Sequence, residues 1–181
     1  AVIARPSNNY GPYQFPEKFL PLMITNAMED KPLPVYGDGL QERNWIHVED
    51  SCRGILEVLE RGRTGEVFNI GGEDVVENLT MIRRLLAQMG KPESLIRFVA
   101  DRPGHDRRYA LDSAKMKTEL GWRPKLSLEE GLRRTVEWYR QNAQWLSAVC
   151  DGAYRTYYEK YYEQREASLR AISAGGESPA E

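Results

Sequence analysis

The chain has 181 residues, enough for one sizeable core, and its net charge of −2 and pI near 5.9 lack the basic excess of a nucleic-acid-binding domain. No apolar run approaches a membrane span. The only two cysteines, Cys52 and Cys150, stand far apart and read as buried thiols in a reducing compartment. Without a signal or lipidation motif, the expectation is a cytoplasmic protein with neither membrane nor nucleic-acid partners.

Residues 1–4 (AVIA) are apolar and β-prone, like the last part of a buried strand cut from something longer. Residues 7–19 (SNNYGPYQFPEKF) concentrate special-purpose side chains: the adjacent amides Asn8 and Asn9 precede a Gly11-Pro12 turn flanked by Tyr10 and Tyr13. Glycine admits positive φ and proline fixes it, so this stretch is a short, stiff loop suited to binding, or equally an ordinary strand-to-helix connection. Residues 18–29 then carry Phe19, Leu22, Met23, Asn26 and Ala27 at helical spacing, with Pro21 tolerable in the first turn. A strand over 33–36 turns at Gly37-Asp38-Gly39 towards a second over 44–48. The pattern over 49–60 predicts a helix with Cys52, Ile55, Leu56 and Leu59 on one face, stopped by Gly62.

A strand over 67–70 closes at Gly71-Gly72, and a helix follows over 79–89, which Asn78 or Thr80 could cap. Residues 96–100 read as a strand and 102–105 as a loop. Asp112 is placed to cap a helix ending at Gly121, and Ser127 to Glu130 fit a capping box opening a helix through 141. Aromatic residues crowd a final helix over 154–162, and 173–181 is a flexible tail after one domain over 1–172. Short strands alternating with helices make an α/β chain, with too few strands for a complete doubly wound sheet.

Several constellations are missing from the sequence. Gly71-Gly72 lacks the third glycine of a dinucleotide-binding turn. The two histidines, His47 and His105, are too far apart for zinc-type spacing, and no Gly-x-Ser-x-Gly elbow occurs. Hence no metal site and no catalytic residue is assigned. What remains suits a phosphorylated ligand: the charged loop Asp101-Arg102-Pro103-Gly104-His105-Asp106-Arg107-Arg108, Arg43 after the 37–39 turn, and Tyr36 before it. An arginine can fork onto a diphosphate while an aromatic ring stacks on a base. Each feature alone is also compatible with a solvated arginine or a core tyrosine.

Together these segments resemble the C-terminal half of the dTDP-glucose 4,6-dehydratases, extended short-chain dehydrogenase/reductase enzymes with tightly held NAD. The likeness runs from about residue 3 to 162 and includes SNNYGPYQFPEKF, KPLPVYGDG, RNWIHVED, GEVFNIGG, FVADRPGHDRRYALD, LGWRP and TVEWY. It implies a fold made of the sugar-nucleotide-binding α/β subdomain plus the last strands and helices of a Rossmann sheet. It implies substrate contacts from Asn8, Lys18 and Phe19, thymine contacts from Pro34, Val35 and Tyr36, and a phosphate contact from Arg43. Asn78 and the run Asp101, Arg102, Pro103, Gly104 and His105 would complete the nucleotide-diphosphate site, and Asn9 would meet the nicotinamide end of NAD. The family's glycine-rich turn, its Tyr-x-x-x-Lys pair and its Asp-Glu pair are not found, so the resemblance implies a chain that holds substrate without doing the chemistry. Its partners would be dTDP-glucose and the missing N-terminal half, in a homodimer when complete. The alternatives are half of another sugar-nucleotide epimerase, decarboxylase or UDP-glucose dehydratase, or a non-enzymatic sugar-nucleotide-binding module.

Overall fold

The computed structural model describes residues 1–150; the helix expected over 154–162, the tail over 173–181 and the domain boundary at 172 lie outside them. The elements run β1 (Ile3–Pro6), β2 (Asn8–Tyr10), α1 (Phe19–Met28), β3 (Leu33–Tyr36), β4 (Glu42–His47), α2 (Val48–Arg61), β5 (Val67–Ile70) and β6 (Val75–Glu77). They continue with α3 (Asn78–Met89), a 3-10 turn (Glu93–Leu95), β7 (Ile96–Val99), β8 (Arg108–Tyr109), α4 (Ala114–Leu120), α5 (Leu128–Gln141) and α6 (Ala143–Val149).

The strands form three small sheets. β1 pairs in parallel with β5, and β3 with β7. β4 is the centre of the third sheet: β2 and β8 run parallel to it, and β6 runs antiparallel. Side chains alternate across a strand, so β4 serves two cores. Trp45 joins a large cluster with residues of α1, α3 and α5, including Leu22, Ile82 and Leu132. Its neighbour Ile46 points the other way, into a smaller cluster with Val58, Phe68, Ile70, Met116 and Trp122.

The helices follow local rules with amendments at three N-termini; α4 starts from Ser113, not from Asp112, whose carboxylate instead accepts the Ala114 N–H at 2.8 Å. Pro21 sits in the first turn of α1, where its missing N–H costs no intrahelical bond. α3 buries Met81, Ile82, Leu85, Leu86 and Met89 and ends at Gly90 in the left-handed region. Its N-cap is Glu77 without a side-chain capping bond, so neither Asn78 nor Thr80 takes that role; the Thr80 hydroxyl instead meets the Glu77 carboxylate at 3.3 Å. At α5 the Ser127 hydroxyl accepts from the Glu130 N–H at 3.3 Å. Only half of the expected box forms, because the Glu130 carboxylate turns to Arg133 and Arg134, which hold it down at about 2.

Two further expectations are corrected. Residues 8–10 are a strand, not part of a loop, because their backbone finds partners at Trp45 to His47 despite two asparagines. The strands on either side of the 37–39 turn belong to different sheets, β3 joining β7 and β4 joining β2. The cysteines are not buried: Cys52 is exposed on α2 and Cys150 half-buried.

Candidate functional site

β3 and β7 run side by side, with Tyr36 opposite Val99, so their C-terminal ends deliver the 37–39 turn and the 101–108 loop to one edge. Gly37 adopts φ 57°, and a Cβ there would stand 3.0 Å from a carboxylate oxygen of Asp101; glycine is what lets loop and turn close together. Asp101 ties the loop down. Its Oδ1 lies 2.6 Å from His105 Nδ1 and accepts the Arg102 N–H at 2.8 Å, while Oδ2 accepts from Gln41 Nε2 at 3.0 Å. Burial pushes the Asp101 carboxyl up, but bonds from His105, the Arg102 N–H and Gln41 outweigh it and leave it below the usual range. The His105 ring stands edge-on to Tyr36 with centroids 6.0 Å apart.

Gln41 joins this edge to a third element. It is buried, and its carbonyl accepts the Asn78 N–H at 2.9 Å, while the Gly39 carbonyl accepts the Leu79 N–H at 2.9 Å. The start of α3 is thereby fixed beside the turn. Sequence reasoning passed over Gln41, since a lone glutamine before a strand carries no signal.

Arg43 is 8 % exposed and held by its neighbours: Nη1 donates to the Glu42 carbonyl and Nη2 to the Asp106 carbonyl, both at 2.8 Å. A guanidinium has five N–H donors, so capacity remains for an anion. Burial pulls its pKa down, Asp106 opposes this, and nearby Arg102 adds to it. A second negative group would relieve that cost. Arg102 is exposed and forms no ion pair among the described residues, whereas Arg107 is committed to Asp38 at 2.8 Å and Arg108 to Glu42 at 2.8 Å.

The other candidates lie along β2 and the start of α1. Asn8 is opposite Trp45 in the register, so it shares a sheet face with Arg43, two residues back along β4. Its Oδ1 is buried with no hydrogen-bond partner among the described residues. Phe19 stacks on Trp45 at 5.7 Å on this face. Asn9 belongs to the opposite face, and its Nδ2 donates to the Ser7 carbonyl at 2.9 Å. Lys18 is largely exposed, beside Glu17 at 2.8 Å. Pro34 and Val35 are buried in β3, leaving Tyr36 as the presented residue of that trio. Pro103 and Gly104 form the exposed tip of the loop.

The family model for GDP-mannose 4,6 dehydratase matches residues 1–135. The chain belongs to that family. Within it, the chain is 46 % identical over 172 residues to the dTDP-glucose 4,6-dehydratase of Salmonella typhimurium, covering 91 % of this chain and 48 % of the relative. A crystal structure of dTDP-glucose 4,6-dehydratase from Bacillus anthracis in complex with NAD superposes with a TM-score of 0.79 at 50 % identity, covering 82 % of this chain and 47 % of that one. The Streptomyces venezuelae dTDP-glucose 4,6-dehydratase, with NAD and a further ligand bound, gives a TM-score of 0.79 at 49 % identity over 82 % of this chain and 46 % of that one. The chain thus spans about half the length of the curated relatives it matches. Its α/β architecture with parallel pairs is part of the family's Rossmann-type fold.

The dehydratase family's NAD poses a direct question of fit. A dinucleotide pyrophosphate sits at a helix N-terminus after a glycine-rich turn. Here Gly71-Gly72 packs against Asn44 and the Trp45 backbone and leads into β6, not into a helix. The described residues therefore do not form the dinucleotide cradle.

Proposed function

We propose that this chain is the sugar-nucleotide-binding, C-terminal part of a dTDP-glucose 4,6-dehydratase. The complete enzyme, a cytoplasmic lyase and homodimer, converts dTDP-glucose to dTDP-4-keto-6-deoxyglucose with bound NAD. In this reading Tyr36 meets the thymine, Arg43 with Arg102 meets the diphosphate, and Asn78 and the 101–105 loop close over the nucleotide. Asn8, Lys18 and Phe19 face the glucose, and Asn9, on the other side of the same strand, reaches towards the nicotinamide.

The observation that carries the reading is the joining of three elements at one edge by Gln41 and Asp101, beside a buried arginine with donors to spare. A buried guanidinium with unused N–H groups and a fixed aromatic neighbour is the chemistry a nucleoside diphosphate needs. The hydride and proton steps belong to a Tyr-x-x-x-Lys pair and an Asp-Glu pair that this sequence does not contain, so the chain by itself binds and does not turn over. The uncovered apolar residues of α2 and β1 (Ile55, Leu56, Leu59 and Ile3) suit a seat for the cofactor-binding half.

Calorimetry on the 181-residue chain, with a 4-ketosugar assay beside it, tests this. We expect weak binding of dTDP and dTDP-glucose, no detectable binding of NAD, and no ketosugar even with NAD in excess. Tight NAD binding or turnover by this chain would overturn the assignment.

A further inference from the structure

The C-terminal helices grip the strand that carries the paired asparagines. Tyr139 of α5 is fully buried, and its hydroxyl donates to the Gln14 carbonyl at 2.5 Å. The Gln14 side chain in turn donates from Nε2 to the Asn9 carbonyl at 2.9 Å. Two turns earlier on α5, Gly131 lies against the Tyr10 hydroxyl so closely that a Cβ would collide with it. Between these points Tyr13 has a φ of 61°, a left-handed conformation that a bulky residue keeps only when its surroundings hold it. The Trp138 and Trp145 rings stand beside it, with centroids 4.6 and 5.6 Å from that of Tyr13, while the other side of its ring stays exposed.

We infer that Tyr139 is a positioning residue for the hexose end of the substrate: its hydroxyl fixes residues 13–15 and, through Gln14, the strand bearing Asn8. This rests on the sugar-nucleotide reading above. The nucleotide end is held independently, by Gln41 and the 37–39 turn. A defect at Tyr139 therefore reaches Asn8, Lys18 and Phe19 but leaves Tyr36 and Arg43 in place. Loss of a purely structural contact would instead weaken both ends alike.

The test compares dTDP with dTDP-glucose by calorimetry on the 181-residue chain and its Tyr139→Phe and Gln14→Ala variants, with thermal unfolding alongside. Phenylalanine keeps the ring and removes only the hydroxyl; Gln14→Ala removes the Asn9 link and keeps the Tyr139 bond to the Gln14 backbone. Both variants are expected to weaken dTDP-glucose about 3–10-fold, the scale of one neutral hydrogen bond, with dTDP unchanged within about twofold. Should Tyr139→Phe fail to fold, the Gln14→Ala result decides. Equal loss of both ligands, loss of neither, or a hexose that adds nothing to affinity in the unsubstituted chain would overturn the inference alone. Absence of dTDP binding by the unsubstituted chain would overturn the sugar-nucleotide reading, and this inference with it.

Discussion

Helices α1 and α2 differ in how much of their apolar surface finds a partner. α1 buries Leu20, Pro21, Leu22, Met23, Ile24, Asn26 and Ala27, almost all of its length, within the larger core. α2 buries Asp50, Ser51, Gly54 and Val58, while Ile55, Leu56 and Leu59 are 42 %, 51 % and 72 % exposed. The adjoining β1 shows the same: Ile3 is 49 % exposed, and β5 is its only strand partner among the described residues. Exposed apolar residues clustered on one helix, as on α2, mark an interaction surface. The site-bearing side of the molecule is built around a filled core, and the outer face of α2 is open. Periodicity reveals that an apolar face exists; it does not reveal what covers it.

The sharpest way to break this contrast is to shorten one leucine on each side. Leu132→Ala, in the filled core, is expected to cost about 2–5 kcal/mol of unfolding free energy in urea melts. Leu59→Ala is expected to stay within about 0.5 kcal/mol. A comparable cost for the two would mean that α2 is covered in solution.

Asp50 latches the two sides together. It pairs with Arg53 one turn along the same helix and accepts the Lys125 and Leu126 N–H groups, at 3.0 and 2.9 Å, just before α5. Burial pushes its carboxyl up, but Arg53 and these two N–H groups more than offset that and hold it below the usual range. Its stabilising contribution is therefore full above the unfolded carboxylate pKa of about 4 and is lost as pH falls through the lower folded value. Asp50→Ala leaves these half-buried donors without their acceptor and is expected to cost about 1–3 kcal/mol. Its stability should depend less on pH below about 4 than that of the parent chain.

On the site side, Arg43→Ala is expected to weaken dTDP by about 1.5–3 kcal/mol, the range of a charge-assisted hydrogen bond. Calorimetry at low and moderate salt would read this, and an unchanged affinity would remove Arg43 from the site. The smallest expected effect belongs to His47, which caps α2 by accepting the Glu49 N–H on Nδ1. Burial lowers its pKa against the opposing pull of Glu49 and Asp50. Stability should begin to fall as pH drops below about 6.5, the unfolded value, because the unfolded chain takes up the proton more readily. His47→Asn, which keeps a capping acceptor, should abolish that first acid step. Persistence of the step would assign it to another group.

The sequence showed the long periodic elements well, because their burial and their ends are written locally: Gly90 and Gly121 in the left-handed region, Ser127 at the start of α5. It did not show β2, β6 or β8, which have two or three residues each and exist only because β4 lies between them. For the site, Tyr36, Arg43 and the 101–105 loop could be named from residue type and turn chemistry. Gln41 could not, because its importance comes from two hydrogen bonds to residues 37 and 60 positions away. The role of Tyr139 was hidden for the same reason: in a helix, a buried aromatic reads as core.

The most direct test of where the ligand binds is a nitrogen–proton NMR titration of the 181-residue chain with dTDP. We expect the amides of Tyr36 to Leu40, Gln41, Asn78, Asp101, Arg102, Gly104 and His105 to move together at one dissociation constant, with Ile55 to Leu59 unmoved. Shifts confined to α2 and β1, with the 37–41 turn and the 101–105 loop unmoved, would contradict the placement of the nucleotide site.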